Sequence, residues 1–178
     1  MKRLLPWLVA ALLFGLAVPV GLAGVDDGPW GFVLPVLAVA VAAPLFLVLH
    51  ECGHLLAAVA LRLRVTGVRM RPRSYVRVRP GLDGPALPVR FVAFYLAGPV
   101  VDLGLAAGLS RGAFAAGPAL LGHCLLACAL VGVLSGVGNL WPRRLPAGWH
   151  TDGSNAVSWA VHPAREMAAL RAAEVVPR

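Results

Sequence analysis

Apolar residues are gathered along this chain into four long runs, residues 4–23, 32–61, 91–109 and 113–140, with polar stretches between them. About 20 helical residues cross a hydrocarbon core roughly 30 Å thick, and each run meets or nearly meets that length. The pattern predicts an all-α polytopic membrane protein with four transmembrane helices. The polar stretches are a short acidic loop with Asp26 and Asp27, an arginine-rich segment from Arg62 to Arg90, and a tail from Trp141. In the arginine-rich segment, Val68-Arg69-Met70-Arg71 and Val76-Arg77-Val78-Arg79 alternate with period two around Pro72-Arg73-Ser74-Tyr75. That alternation suits a short amphipathic β-hairpin, with a solvated basic loop as the plainer alternative. Beyond Ser154 an apolar stripe of Val157, Val161, Ala164 and Ala168 is interrupted by Pro163, which suggests two short helices at or near the membrane surface. The expected divisions are a first helix with its outside loop over 1–31, a core over 32–153, and a helical tail over 154–178.

Composition supports lipid as the solvent. Of 178 residues, 59% are hydrophobic and 13% charged, more apolar than a soluble domain this short can hide. The net charge of +8 could suggest nucleic acid. The arginines, however, lie between apolar runs, where they set orientation and meet anionic headgroups, so nucleic-acid binding is excluded as a function class. Lys2, Arg3, the eight arginines from Arg62 to Arg90, and Arg143 and Arg144 all fall on one side of a four-span chain, against only Arg111 on the other. The positive-inside rule then puts both termini and the hairpin in the cytoplasm, most simply in a bacterial cell membrane. The first run exceeds the usual signal-peptide core of about 7–15 residues and precedes no clear small-residue cleavage site, so a retained anchor is expected. Three cysteines, Cys52, Cys124 and Cys128, form no CxxC pair, which excludes a disulfide framework and a finger-type zinc site.

The second run is broken only by His50-Glu51-Cys52-Gly53-His54. Histidines four apart on a helix project from one face and can share a tetrahedral metal. Glu51 is placed to take a proton from a metal-activated water without being a ligand. Three ionisable groups at helix depth are costly without a shared purpose, so a metal site outweighs two core histidines beside a structural glutamate. Two histidines need a third protein donor. Of the downstream carboxylates, Asp83 lies in the arginine-rich loop and Glu166 and Glu174 far along the tail, which leaves Asp102 and Asp152. Asp102, within a span, is expected to accept a hydrogen bond from a neighbouring helix. His123 is expected to do the same work, and His150 to be solvated.

With these residues the chain resembles the site-2 protease family, zinc metalloproteases embedded in membranes. The resemblance rests on His50-Glu51-Cys52-Gly53-His54 in an apolar helix, on Leu96-Ala97-Gly98-Pro99, and on Asn139-Leu140-Trp141-Pro142 followed by Asp152-Gly153. It implies one Zn2+ held by His50, His54 and Asp152, with Glu51 as general base and acid. It also implies a three-helix catalytic core made by the second to fourth spans, and a substrate contacted by Asn139, Gly98 and Pro99. The implied reaction is hydrolysis of peptide bonds in or near transmembrane segments of membrane-protein substrates. Two departures stand out: the nine residues 143–151 make a longer loop before Asp152 than the family has, and Asp102 replaces an asparagine. A catalytically inactive relative that binds membrane proteins is the alternative. No inserted peptide-binding domain interrupts residues 50–153.

Overall fold

The computed structural model describes residues 28–69, 75–79, 86–144 and 150–175. Its elements are α1 (Pro29–Ala60), β1 (Arg64–Arg69), β2 (Tyr75–Arg79), α2 (Leu87–Ala116), α3 (Leu120–Leu140), α4 (Asp152–Val161) and α5 (Pro163–Val175). The protein is mostly helical, and α1, α2 and α3 are long and apolar enough to cross a membrane. The first expected span, residues 4–23, lies outside the described residues. Large apolar side chains such as Leu37, Val41, Leu56, Val100 and Phe114 are exposed on these helices. In the most apolar stretch of α1 only 22% of residues are buried. Water would penalise such surfaces, and hydrocarbon does not.

One boundary differs from the sequence reading. The third run was expected to end at residue 109 and the fourth to begin at 113, but α2 continues to Ala116. A single charge at Arg111 leaves the backbone hydrogen bonds intact. The turn comes at Gly117, whose φ of +67° is open to glycine, followed by Pro118, which cannot continue a helix. The hairpin forms, in antiparallel register with Val65 opposite Val78 and Val68 opposite Val76. It begins earlier than the alternation suggested, at Arg64, with an irregularity between Val65 and Gly67. Residues 70–74, the expected turn, lie outside the described residues.

The described residues divide into two compact units: those up to Leu49 with Val101–Gly136, and those from His50 to Val100 with those from Val137 onward. In the first, Val39, Ala42 and Phe46 of α1 pack with Ala127 and Val131 of α3. A Cβ at Gly132 would lie 2.5 Å from the Phe46 ring, so glycine is what lets the aromatic settle on α3. Asp102, fully buried on α2, accepts a 2.6 Å hydrogen bond from the Ser135 hydroxyl on α3, the helix-to-helix role expected of it. In the second unit, Ala58, Leu63, Leu87, Phe91, Phe94 and Trp159 form the core, and Val76, Val78, Met167 and Leu170 pack onto it. The hairpin is thus seated through the valines of β2.

The C-terminal end of α1 delivers the chain to the hairpin through a left-handed cap. Arg62 has φ +55°, its N–H donates to the Val59 carbonyl at 3.1 Å, and the Leu63 N–H donates to the Ala58 carbonyl at 2.8 Å. Leu63 and Ala58 then meet in the core, as such caps favour. An L-residue in this conformation is strained by about 1–2 kcal/mol, partly offset by the entropy glycine would lose. Arg62→Gly should therefore stabilise the purified protein by about 0.5–1 kcal/mol, read as a higher thermal midpoint in detergent. A lower midpoint would mean that the arginine side chain holds the cap.

Candidate metal centre

Near the end of α1, His50 and His54 stand one turn apart, each 5% exposed, with Glu51 equally buried beside them. The His54 Nδ1 is 2.7 Å from the Phe94 carbonyl oxygen on α2. A carbonyl only accepts, so Nδ1 carries the proton, and the Nε2 lone pair of the neutral ring is left facing inward. The two Nε2 atoms are 3.2 Å apart. Asp152 enters from α4, with its Oδ2 at 3.0 Å from His50 Nε2 and 3.4 Å from His54 Nε2.

These three separations are those of one face of a coordination tetrahedron. Donors 2.0–2.1 Å from a common ion at tetrahedral angles lie about 3.3 Å from one another. Without a cation, lone pairs and a carboxylate oxygen would face each other across the same gap. His50, His54 and Asp152 can therefore hold a metal ion, and among the described residues they are the group of such donors that converges. Burial pushes the Asp152 carboxyl up, but in the metal-free site His50 and His54, when protonated on both ring nitrogens, donate hydrogen bonds to it and with their charge hold it below the usual carboxylate range. The group is presented as an anion.

The long loop before Asp152 is closed by Thr151, which is 2% exposed. The Thr151 hydroxyl donates to the Trp141 carbonyl at 2.8 Å and accepts from the Arg143 N–H at 3.2 Å. It also caps α4, accepting from the Ser154 N–H. Arg144 and His150 bridge just inside this closure, and His150 is exposed, as expected. Gly153 rests on the end of α3, where any Cβ would run into the Leu140 carbonyl. Asp152 is thus tied to the end of α3 on both sides, and the extra loop length is accommodated without loosening it. The expected core ended at residue 153 and the tail began at 154; the helix α4 runs across that division, starting at Asp152.

Gly98 is the other close approach. A Cβ there would lie 2.5 Å from His50 Nε2 and 2.6 Å from His54 Nε2, in the space a shared ion and its open coordination position require. Gly98 was expected against substrate; its described contact is with the ligand atoms. Pro99 is fully buried in α2. Asn139 is half-buried in the last turn of α3, and among the described residues no hydrogen bond or ion pair joins it to the three donors. Asp102 is outside the group, engaged by Ser135. His123 was expected to bond another helix, yet its buried Nδ1 has no hydrogen-bond partner among the described residues.

The Phe94 carbonyl and Thr151 escaped the sequence reading. A threonine directly before Asp-Gly-Ser is an N-cap signal that could have shown α4 starting at Asp152. The Phe94 contact has no local signature. Comparison with protein-family models, with curated proteins and with solved structures finds no match to this chain.

Three variants test the donor set together. Asp152→Ala and Gly98→Ala should each weaken metal binding by more than about 100-fold, beyond the 10–100-fold typical of outer partners, while Asp102→Ala keeps the metal. Metal analysis of the purified proteins decides it, and metal retained by Asp152→Ala but lost from Asp102→Ala would overturn the assignment.

Proposed function

We propose that this protein is an intramembrane zinc metalloprotease resembling the site-2 proteases, cleaving peptide bonds in or near the transmembrane segments of membrane proteins. The observation that carries the reading is the 3.0, 3.2 and 3.4 Å triangle of His50, His54 and Asp152 donors. Two imidazoles and a carboxylate suit zinc among the divalent metals. Three protein ligands leave one position open, which is the pattern of catalytic rather than structural zinc. The setting of His50 and His54 on a helix able to cross a membrane favours a substrate that is itself in or at the bilayer.

A zinc ion in this site would lower the pKa of water to about 7 and polarise a carbonyl. The remaining work falls to the chain. Glu51 takes a proton from the attacking water and passes it to the departing amide nitrogen, so that one peptide bond and one water become a carboxylate and an amine. The Phe94 carbonyl holds His54 in the tautomer that keeps Nε2 free. Gly98 keeps the space before the Nε2 atoms clear. A helical substrate has satisfied its own backbone hydrogen bonds and must unwind before its carbonyl can be attacked, so helix-breaking residues near the cleaved bond favour cleavage.

Glu51→Gln keeps the shape of the side chain and removes the base. It should leave zinc bound and lower turnover of single-span substrates by at least about 100-fold; near-normal cleavage by a zinc-loaded variant would refute the mechanism. Zinc binding without any cleavage by the unaltered protein would favour the inactive relative.

The proposed orientation puts both termini and the hairpin in the cytoplasm, by the distribution of arginines. Reporter tags at either terminus and near Arg77 should read cytoplasm, and a tag near Asp27 the opposite side. An outside signal at Arg77 would reverse the orientation.

A further inference from the structure

The bonds of Thr151 and the contact of Gly153 fix where α4 starts, but not how the helix is rolled about its own axis. Roll matters at a metal site. A carboxylate oxygen about 5 Å from a helix axis moves by roughly 0.9 Å for every 10° of rotation, whereas metal–ligand distances hold within about 0.2 Å. Contacts farther along α4 therefore share in setting its rotation.

Trp159 is the largest such contact. It lies seven residues beyond Asp152, two helical turns, and so on the same face of α4. It is 5% exposed. Its ring lies flat on Phe91 of α2, with centroids 4.3 Å apart and planes at 10°. Its indole also lies beside the Tyr95 side chain. Phe91 and Tyr95 are four apart on α2, so the indole meets one stripe of that helix, with its face on Phe91. The same stretch of α2 supplies the Phe94 carbonyl to His54 and brings Gly98 against both ligand nitrogens. One segment of α2 thus registers the histidines on one side and the helix carrying the carboxylate on the other.

We propose that Trp159 is a positioning residue of the metal centre, a rotational key through which α2 sets Asp152 against His50 and His54. The inference rests on the three donors holding a metal. A buried tryptophan could instead serve packing alone, and the two roles separate in their dependence on Asp152. A key acts on the metal only through the carboxylate, while packing acts whether the carboxylate is there or not.

The test is the zinc affinity of the full chain in detergent, measured by chelator competition. Trp159→Ala should raise the zinc dissociation constant by about 10–100-fold, and Trp159→Phe, which keeps the stack on Phe91, by no more than about threefold. In an Asp152→Ala background, Trp159→Ala should change the residual two-histidine affinity by less than about twofold. Should Trp159→Ala not fold, Trp159→Leu, which fills the core without stacking, is judged by the same criteria. Unchanged zinc affinity in the single variants would overturn the proposal and leave the metal site standing. So would an equal loss in the Asp152→Ala background. An unaltered protein that binds no zinc would overturn the metal site itself, and the key with it.

Discussion

A carboxylate at 3.0 and 3.4 Å from two imidazole nitrogens, all largely shielded from water, is the constraint to which much of the second unit answers. Burying an anion and two ring nitrogens together is costly unless something positive sits among them. The surroundings are arranged to keep the three donors at that spacing. The Phe94 carbonyl sets the protonation of one ring, Thr151 anchors the start of the carboxylate's helix, and the aromatic core of Phe91, Phe94 and Trp159 packs the elements that carry them.

Glycine recurs wherever the backbone must come close. At Gly98 the approach is to the histidine nitrogens, at Gly153 to the end of α3, and at Gly132 to the Phe46 ring. In lipid, helices gain little from burying apolar side chains against one another, so close contact must supply the cohesion. Small residues permit it. The buried Asp102–Ser135 hydrogen bond adds a polar tie of the same kind.

Much of this was legible in the sequence because it is local. Three of the long apolar runs became helices able to cross a membrane, and the i, i+4 histidines fell on one helix face because helical geometry leaves no other choice. The period-two valines found strands for the same reason. Asp152 was preferred to Asp102 from its place just after the fourth run, beside Gly153, and from the resemblance, since no local pattern shows a residue so far along the chain returning to the histidines. The docking of Trp159 on Phe91 and the tautomer of His54 join residues far apart in the chain, and no local pattern carries such pairings. The misplaced boundary near residue 113 has a simpler cause: a charge was weighted over a Gly-Pro pair that dictates the backbone.

The two histidines and the aspartate that complete the centre are separated widely along the chain, with His50 and Asp152 102 residues apart. During synthesis the histidine helix is made long before its third partner. Translation must proceed through residue 152, past α3, before the donors can assemble. A nascent chain therefore cannot possess the full donor set, and any reactivity the centre confers is withheld until the core is complete.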